Sequence, residues 1–225
     1  PRTYLKNNID GFFNILDALR IKKPKHFLFA STSSVYGSAK KFPLTEEMNT
    51  DNPQSFYAAT KKSNEIMAYA YANIYKIPMT ALRFFTVYGP YGRPDMALFK
   101  FAKSIKEKLF LHLFNNGNHY RDFTYITDVI NYIIKIIDLP PKDKIPFRIL
   151  NVANSKPRSL REYLKIIEQE LKSKAKVKKL PLQQGDVLKT HASNKSIETL
   201  IGKQKKTSLE NGIKKYIEWF NEYYQ

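Results

Sequence analysis

Tyr57 and Lys61, in the run Phe56-Tyr-Ala-Ala-Thr-Lys61, are the residues whose types and spacing most directly suggest chemistry. Four positions apart on a helix, a phenol and an ammonium share one face. A phenol of ordinary pKa about 10 is a poor base at pH 7, but a fixed cation beside it favours the phenolate. Upstream lies a hydroxyl cluster, Ser31-Thr32-Ser33-Ser34, leading into Val35-Tyr36-Gly37. With a hydroxyl to orient an alcohol, such a pair can take the alcohol proton as hydride leaves the carbon. The bare Tyr-x-x-x-Lys pattern equally describes a helix with a half-buried tyrosine and a solvated lysine, so its surroundings decide.

Those surroundings alternate between strand and helix. Leu5, Ile9, Phe12, Phe13, Leu16 and Leu19 recur at helical spacing until Lys22-Lys23-Pro24. Phe27 to Ala30 suits a strand buried on both faces. A helix is expected from about Ser55 to Tyr75, with Ile66, Ala70, Asn73 and Ile74 on one side, and a strand from Thr80 to Phe85. A turn-rich loop, Gly89 to Asp95, leads into a helix ending near Lys108, then a strand over Leu111 to Phe114. Arg121-Asp-Phe-Thr-Tyr-Ile126 runs into a helix with Thr127 as its expected N-cap. Ile149 to Ala153 reads as a strand and Leu160 to Leu171 as a helix. Thr207-Ser-Leu-Glu210 matches a capping box for the last helix. The fold class is α/β with a mainly parallel sheet.

Length and composition limit the rest. The 225 residues are 43% hydrophobic, enough for one domain or somewhat more. There is no cysteine, which removes disulfides and thiolate metal sites and fits a reducing compartment. Apolar runs are short and no signal peptide is legible, so the expected location is the cytoplasm, with no membrane partner. His26, His112, His119 and His191 show no metal spacing. The net charge of +18 is spread along the chain; only Lys172 to Lys179 is dense. No nucleic-acid module accompanies that run, and none is expected as a partner.

Five segments together resemble the extended short-chain dehydrogenase/reductases that act on nucleotide sugars, in particular the UDP-glucuronate 4-epimerases. They are Phe27 to Gly37, Ser55 to Glu65, Leu82 to Phe101, Arg121 to Ile126 and Gln184 to Val187. The resemblance runs from Asn7 to the C-terminus. It implies a Rossmann-like sheet, with residues 1–90 the C-terminal part of an NAD-binding domain. Residues 91–225 would form mainly a UDP-sugar-binding α/β domain, some segments returning to the sheet. It implies NAD as cofactor, a UDP-sugar as substrate and a homodimer through the helices near Leu5–Leu19 and Ser55–Tyr75.

By the same resemblance, Tyr57 is the base at the sugar O4 and Lys61 holds the nicotinamide ribose. Thr32 supplies the orienting hydroxyl, with Ser33 and Ser34 as alternatives or substrate contacts. Phe84 and Val87 line the nicotinamide; Thr86 and Arg93 are the candidates for the substrate carboxylate on donor chemistry, since an anion needs donors and arginine offers a bidentate fork. Arg121 contacts the UDP phosphates and Asp186 the ribose hydroxyls. Gln184 departs from the arginine of related galactose epimerases, with Lys189 or a neighbouring lysine as a substitute. Related dehydratases and decarboxylases carry a carboxylate just before Val-Tyr-Gly; Thr32-Ser33-Ser34 has none. Eliminating water needs an added acid, so the pattern favours epimerisation. Epimerisation of a neutral or N-acetylated UDP-sugar stays open, as does a non-catalytic binding role.

The chain begins at Pro1 within a helical pattern, and none of its 8 glycines forms a Gly-x-x-Gly-x-x-Gly turn. The sequence therefore reads as a fragment. The resemblance implies an enzyme about 100 residues longer at its N-terminus, room for further βαβ units of roughly 30 residues, with most of the cofactor cradle in that further part. Weak NAD binding is the corresponding expectation for these 225 residues alone.

Overall fold

The computed structural model describes residues 1–182 and 187–224. One helical turn, α1 (Arg2–Tyr4), passes through a π-helical stretch (Leu5–Asp10) into α2 (Gly11–Ile21). Next come β1 (Phe27–Thr32), a 3-10 turn (Ser33–Tyr36), α3 (Phe56–Tyr75) and β2 (Met79–Phe84). β3 (Thr86–Tyr88), α4 (Ala97–Lys106), β4 (Phe110–Phe114), β5 (Tyr120–Arg121), β6 (Phe123–Tyr125) and α5 (Ile126–Ile137) follow. The remainder is β7 (Phe147–Val152), β8 (Arg158–Ser159), α6 (Leu160–Glu170), β9 (Lys176–Leu180), α7 (Lys195–Ile201) and α8 (Leu209–Tyr223).

The chain divides into two compact units. The first comprises Pro1–Phe85, Asn131–Val152 and Ala192–Gln204; the second comprises Thr86–Ile130, Ala153–His191 and Lys205–Gln225. The first unit is built on a parallel sheet of order β1-β2-β7. Its register places Thr32 beside Phe84 and Phe84 beside Val152, so all three strands end level. β2 is central, and from Met79 to Arg83 every residue is buried, as a parallel strand covered on both faces requires. Phe12, Leu16, Phe29, Ala68, Ala72, Ile77, Met79 and Ala81 form the core beneath it. The fold is Rossmann-like α/β.

The second unit holds three two-stranded pairs, parallel β3-β6 and β4-β9 and antiparallel β5-β8. Its core is aromatic: Phe123 and Tyr163 stack at 4.2 Å, and Tyr88, Phe99, Phe101, Tyr216 and Phe220 pack in the same cluster. Gly212 in α8 is required by that packing, since a Cβ there would lie 2.1 Å from the Tyr88 hydroxyl oxygen.

Local expectations shift in three places. Thr127 lies inside α5, which begins one residue earlier at Ile126. The cap of α8 is Ser208, whose hydroxyl accepts from the Asn211 N–H. Thr207 instead binds the Asp128 carboxylate through its N–H (2.8 Å) and hydroxyl (2.9 Å), a stronger charge-assisted use of the same residue. A capping box does exist at α6, between Ser159 and Glu162. On α3 the side bearing Ile66 and Ile74 faces solvent, at 58% and 66% exposure. The helix packs through Ala58, Thr60, Asn64, Glu65, Ala68 and Ala72, because small side chains let it approach the sheet closely. No helix among the described residues is long and apolar enough to cross a membrane.

Candidate functional site

The carboxyl ends of β1 and β2 are where a parallel α/β sheet presents its ligand-binding crevice, and the first unit gathers its proposed catalytic residues there. Thr32 is the last residue of β1 and is buried. Its hydroxyl oxygen accepts from the Ser34 N–H at 3.2 Å, capping the 3-10 turn, and its hydroxyl donates to Ser34 Oγ at 3.2 Å. Thr32 and Ser34 are thus one coupled hydroxyl pair, with Ser33 half-buried between them. Gly37 turns the backbone away at φ 56°; a Cβ there would lie 2.4 Å from the Asn52 carbonyl oxygen.

α3 begins immediately after Ser55, whose hydroxyl accepts from the Ala58 N–H. This cap sets Tyr57 in the first turn and Lys61 one turn later on the same face. Tyr57 is half-buried and its ring lies 5.6 Å from that of Tyr4. Lys61 Nζ donates to the Ala30 carbonyl at 3.0 Å, which ties the helix to β1 two residues before Thr32. Burial draws the Lys61 ammonium below its usual range. An ammonium has three donors and Ala30 takes one, so Lys61 can also donate to a ribose diol. Phe84, half-buried, ends β2 beside Thr32. A donor-bearing half-buried cation, a coupled hydroxyl pair and an aromatic at level strand ends fit the nicotinamide-ribose end of NAD.

Behind these residues lies a buried polar network whose parts the sequence reading passed over. Ser31 Oγ donates to Glu65 Oε1 at 2.6 Å. Arg83 grips the same carboxylate with Nε on Oε1 and Nη2 on Oε2, each at 2.9 Å. Burial opposes the Arg83 charge, but Glu65 and Tyr36, through their hydrogen bonds and charge together, outweigh it and hold the guanidinium charged. Its Nη1 reaches the Glu46 carbonyl at 3.4 Å, and its guanidinium carbon lies 4.8 Å from the Tyr36 ring centroid. Burial pushes the Tyr36 phenol up to about 12, and it donates to Asn151 Oδ1 at 2.7 Å. Arg83 within an apolar strand, and Glu65 one turn beyond Lys61, are the signals from which such a pair could be anticipated.

The other proposed residues belong to the second unit. Thr86 opens β3, half-buried, and its N–H donates to the Asp122 carbonyl at 3.1 Å. Val87 pairs with Thr124 across the β3-β6 ladder. Arg121 lies half-buried in β5 opposite Arg158, with Nη1 donating to the Tyr120 carbonyl at 3.2 Å. Asp122, fully buried, accepts from the Asn154 N–H and, with both carboxylate oxygens, from the Ser155 N–H. It therefore joins the Thr86, Arg121 and Asn154 segments. Arg93 stands apart on the Gly89–Asp95 turn: its side chain is 75% exposed and Nε lies 3.3 Å from Asp95 Oδ1. Gln184 and Asp186 lie outside the described residues.

The model of the NAD dependent epimerase/dehydratase family matches residues 1–153. A probable UDP-glucuronate 4-epimerase of Rhizobium meliloti (strain 1021) is 39% identical over 240 residues, which take in 100% of this chain and 70% of the relative. The solved UDP-glucuronic acid 4-epimerase of Bacillus cereus, in complex with UDP-glucuronic acid and NAD, superposes with a TM-score of 0.91 at 31% identity. It covers 98% of this chain, which spans 69% of that structure. The UDP-N-acetylglucosamine 4-epimerase of Methanobrevibacter ruminantium M1, in complex with UDP-N-acetylmuramic acid, gives 0.89 at 27% identity, over 99% of this chain and 71% of that one.

Proposed function

The chain belongs to the NAD-dependent epimerase/dehydratase family, and from that premise we propose that it carries the catalytic residues of a UDP-glucuronate 4-epimerase. The observation that carries this reading is the set Thr32, Lys61 and Phe84 at the level ends of β1 and β2, with Tyr57 one turn before Lys61 on the same helix. Tyr57 takes the proton from the sugar O4, Thr32 and Ser34 orient that hydroxyl, and Lys61 holds the ribose of the cofactor. Bound NAD would supply the hydride-acceptor chemistry at C4. The resulting 4-keto sugar turns in its pocket, and Tyr57 returns the proton to O4 as C4 is reduced from the other face. Proton and hydride are both restored, so the product is the C4 epimer, UDP-galacturonate, with no net redox change. Phe84 and Val87 would flank the nicotinamide, Arg121 and Asp186 the UDP moiety, and Thr86 and Arg93 the sugar carboxylate.

The activities of the Rhizobium and Bacillus relatives support the acidic substrate. A second reading, an N-acetylated or neutral UDP-sugar, is favoured by the exposed position of Arg93 and its pairing with Asp95, and by the likeness to the Methanobrevibacter epimerase. A homodimer through α2 and α3 is also part of the proposal. Phe13, Ile15, Ile66, Tyr69 and Ile74 are each 47% or more exposed on these helices, surface that a second copy could cover. The cytoplasm, where NAD and UDP-sugars meet, is the proposed location.

The test incubates the protein carrying this chain, loaded with NAD, with UDP-glucuronate, UDP-glucose and UDP-N-acetylglucosamine, and resolves the epimers by chromatography. UDP-galacturonate as the fastest-formed product is the expected result. Faster turnover of either other sugar would establish the second reading, and no turnover of any would sink the epimerase assignment.

A further inference from the structure

We propose that Glu65 is a positioning residue: it locks α3 to the sheet at the height that brings Tyr57 and Lys61 over Thr32. The proposal rests on the reading that these three residues perform the epimerisation. Tyr57, Lys61 and Glu65 are spaced by four along one helix face. Glu65 therefore lies about 6 Å along the axis from Lys61 and about 12 Å from Tyr57. Its side chain is 2% exposed, and neither carboxylate oxygen is idle. Oε1 receives Ser31 Oγ and Arg83 Nε, and Oε2 receives Arg83 Nη2.

The two partners are strand neighbours in register, Ser31 beside Arg83. Each immediately precedes a residue of the candidate site, Thr32 in β1 and Phe84 in β2. One carboxylate thus fixes the helix bearing the base and the two strand ends bearing the orienting hydroxyl and the aromatic. The Lys61 bond to Ala30 adds a second tie to the same strand. Arg83 carries the restraint onward: through the Glu46 carbonyl and the Tyr36 ring it reaches the turn that contains Ser34. A slip of α3 by one residue, about 1.5 Å, would break all three carboxylate bonds at once.

Stability alone does not call for this arrangement. Replacing a buried ion pair with apolar residues of similar volume is often neutral or stabilising. What apolar packing lacks is direction: a bidentate fork accepts one orientation, whereas methylene contacts tolerate small slides. Reaction rate is sensitive to such slides, because a misplacement of about 1 Å can lower it about 100-fold. Stability and rate should therefore come apart when the pair is removed.

The experiment uses NAD-loaded protein and whichever UDP-sugar the wild type epimerises. Absence of wild-type turnover would refute the underlying reading, not the role of Glu65. The variants are Glu65→Leu with Arg83→Met together, Ser31→Ala, and Ser31→Thr as the conservative control. The double variant removes both charges and should keep Tm within a few degrees and KM within about threefold, while kcat falls roughly 10- to 100-fold. Ser31→Ala, which leaves the ion pair intact, should lower kcat about 3- to 10-fold at unchanged KM, and Ser31→Thr should restore it. A double variant with wild-type kcat would overturn the proposal. If that variant fails to fold, Ser31→Ala decides: wild-type kcat, or kcat loss that Ser31→Thr does not repair, overturns it.

Discussion

Lys61 and Arg93 are both cations proposed to meet a ligand, and the protein holds them in opposite ways. Lys61 is half-buried, bonded to a strand carbonyl, and shifted by that burial toward the neutral amine. One turn further along its helix a fully buried ion pair braces the same surface. Arg93 lies on a solvated turn, 75% exposed, and its contacts are with Asp95 and the Met96 sulfur, two and three residues on in the chain. The groups proposed to act on the cofactor and the reacting hydroxyl are thus tied to the sheet. The group proposed to read the sugar substituent sits where substitutions disturb little else. Changes at the first place should cost chemistry, and changes at the second should cost selectivity.

The largest expected effect tests the first half of that contrast. Tyr57→Phe keeps the ring and its packing against Tyr4 but removes the proton acceptor. It should lower kcat about 10²- to 10⁴-fold, the usual range for a lost general base, while the Kd for UDP-sugar measured by calorimetry stays within about threefold. Wild-type kcat would remove Tyr57 from the mechanism.

Arg93→Ala tests the second half. A charge-assisted hydrogen bond contributes about 1.5–3 kcal/mol, and the exposure of this turn places the loss at the lower end. kcat/KM for UDP-glucuronate should fall about tenfold, with UDP-glucose unaffected. Equal losses on both sugars would mean that Arg93 shapes the turn and that the contrast with Lys61 is one of exposure only.

The α/β class and the parallel sheet were legible in the sequence because each has a local signature, as was the placing of Tyr57 and Lys61 one turn apart on a helix. Buried strands read as apolar runs, and Ser55 precedes the helix that carries the pair four residues apart. The Ser31–Glu65–Arg83 network was not legible, because its members are distant in sequence and each looks ordinary alone. A glutamate on a helix and an arginine in a strand gain meaning only when the fold brings them to 2.9 Å. The same holds for Asp122, whose carboxylate is used by Asn154 and Ser155 some thirty residues later. The capping of α8 failed as a sequence inference for a related reason: Thr207 answers to Asp128 in a different element, which a local motif cannot register.

Asp95→Asn sharpens the comparison with the smallest change. In the turn, the Asp95 carboxylate occupies the Arg93 guanidinium at 3.3 Å, with the two side chains 75% and 64% exposed. A substrate carboxylate bound by Arg93 must displace that partner or share the guanidinium with it, and two carboxylates at one site repel. Exposed pairs of this kind are worth about 0.2–1 kcal/mol, so releasing Arg93 should raise kcat/KM for UDP-glucuronate roughly 1.4- to 5-fold. The gain should shrink as salt is raised from low ionic strength, since the competing attraction is itself screened. UDP-glucose, which brings no carboxylate, should show no gain. The measurement is kcat/KM for both sugars at low and at physiological salt in wild type and variant. A loss on UDP-glucuronate would show instead that Asp95 aims Arg93 at its substrate, and the solvated turn would then be as organised as the sheet behind Lys61.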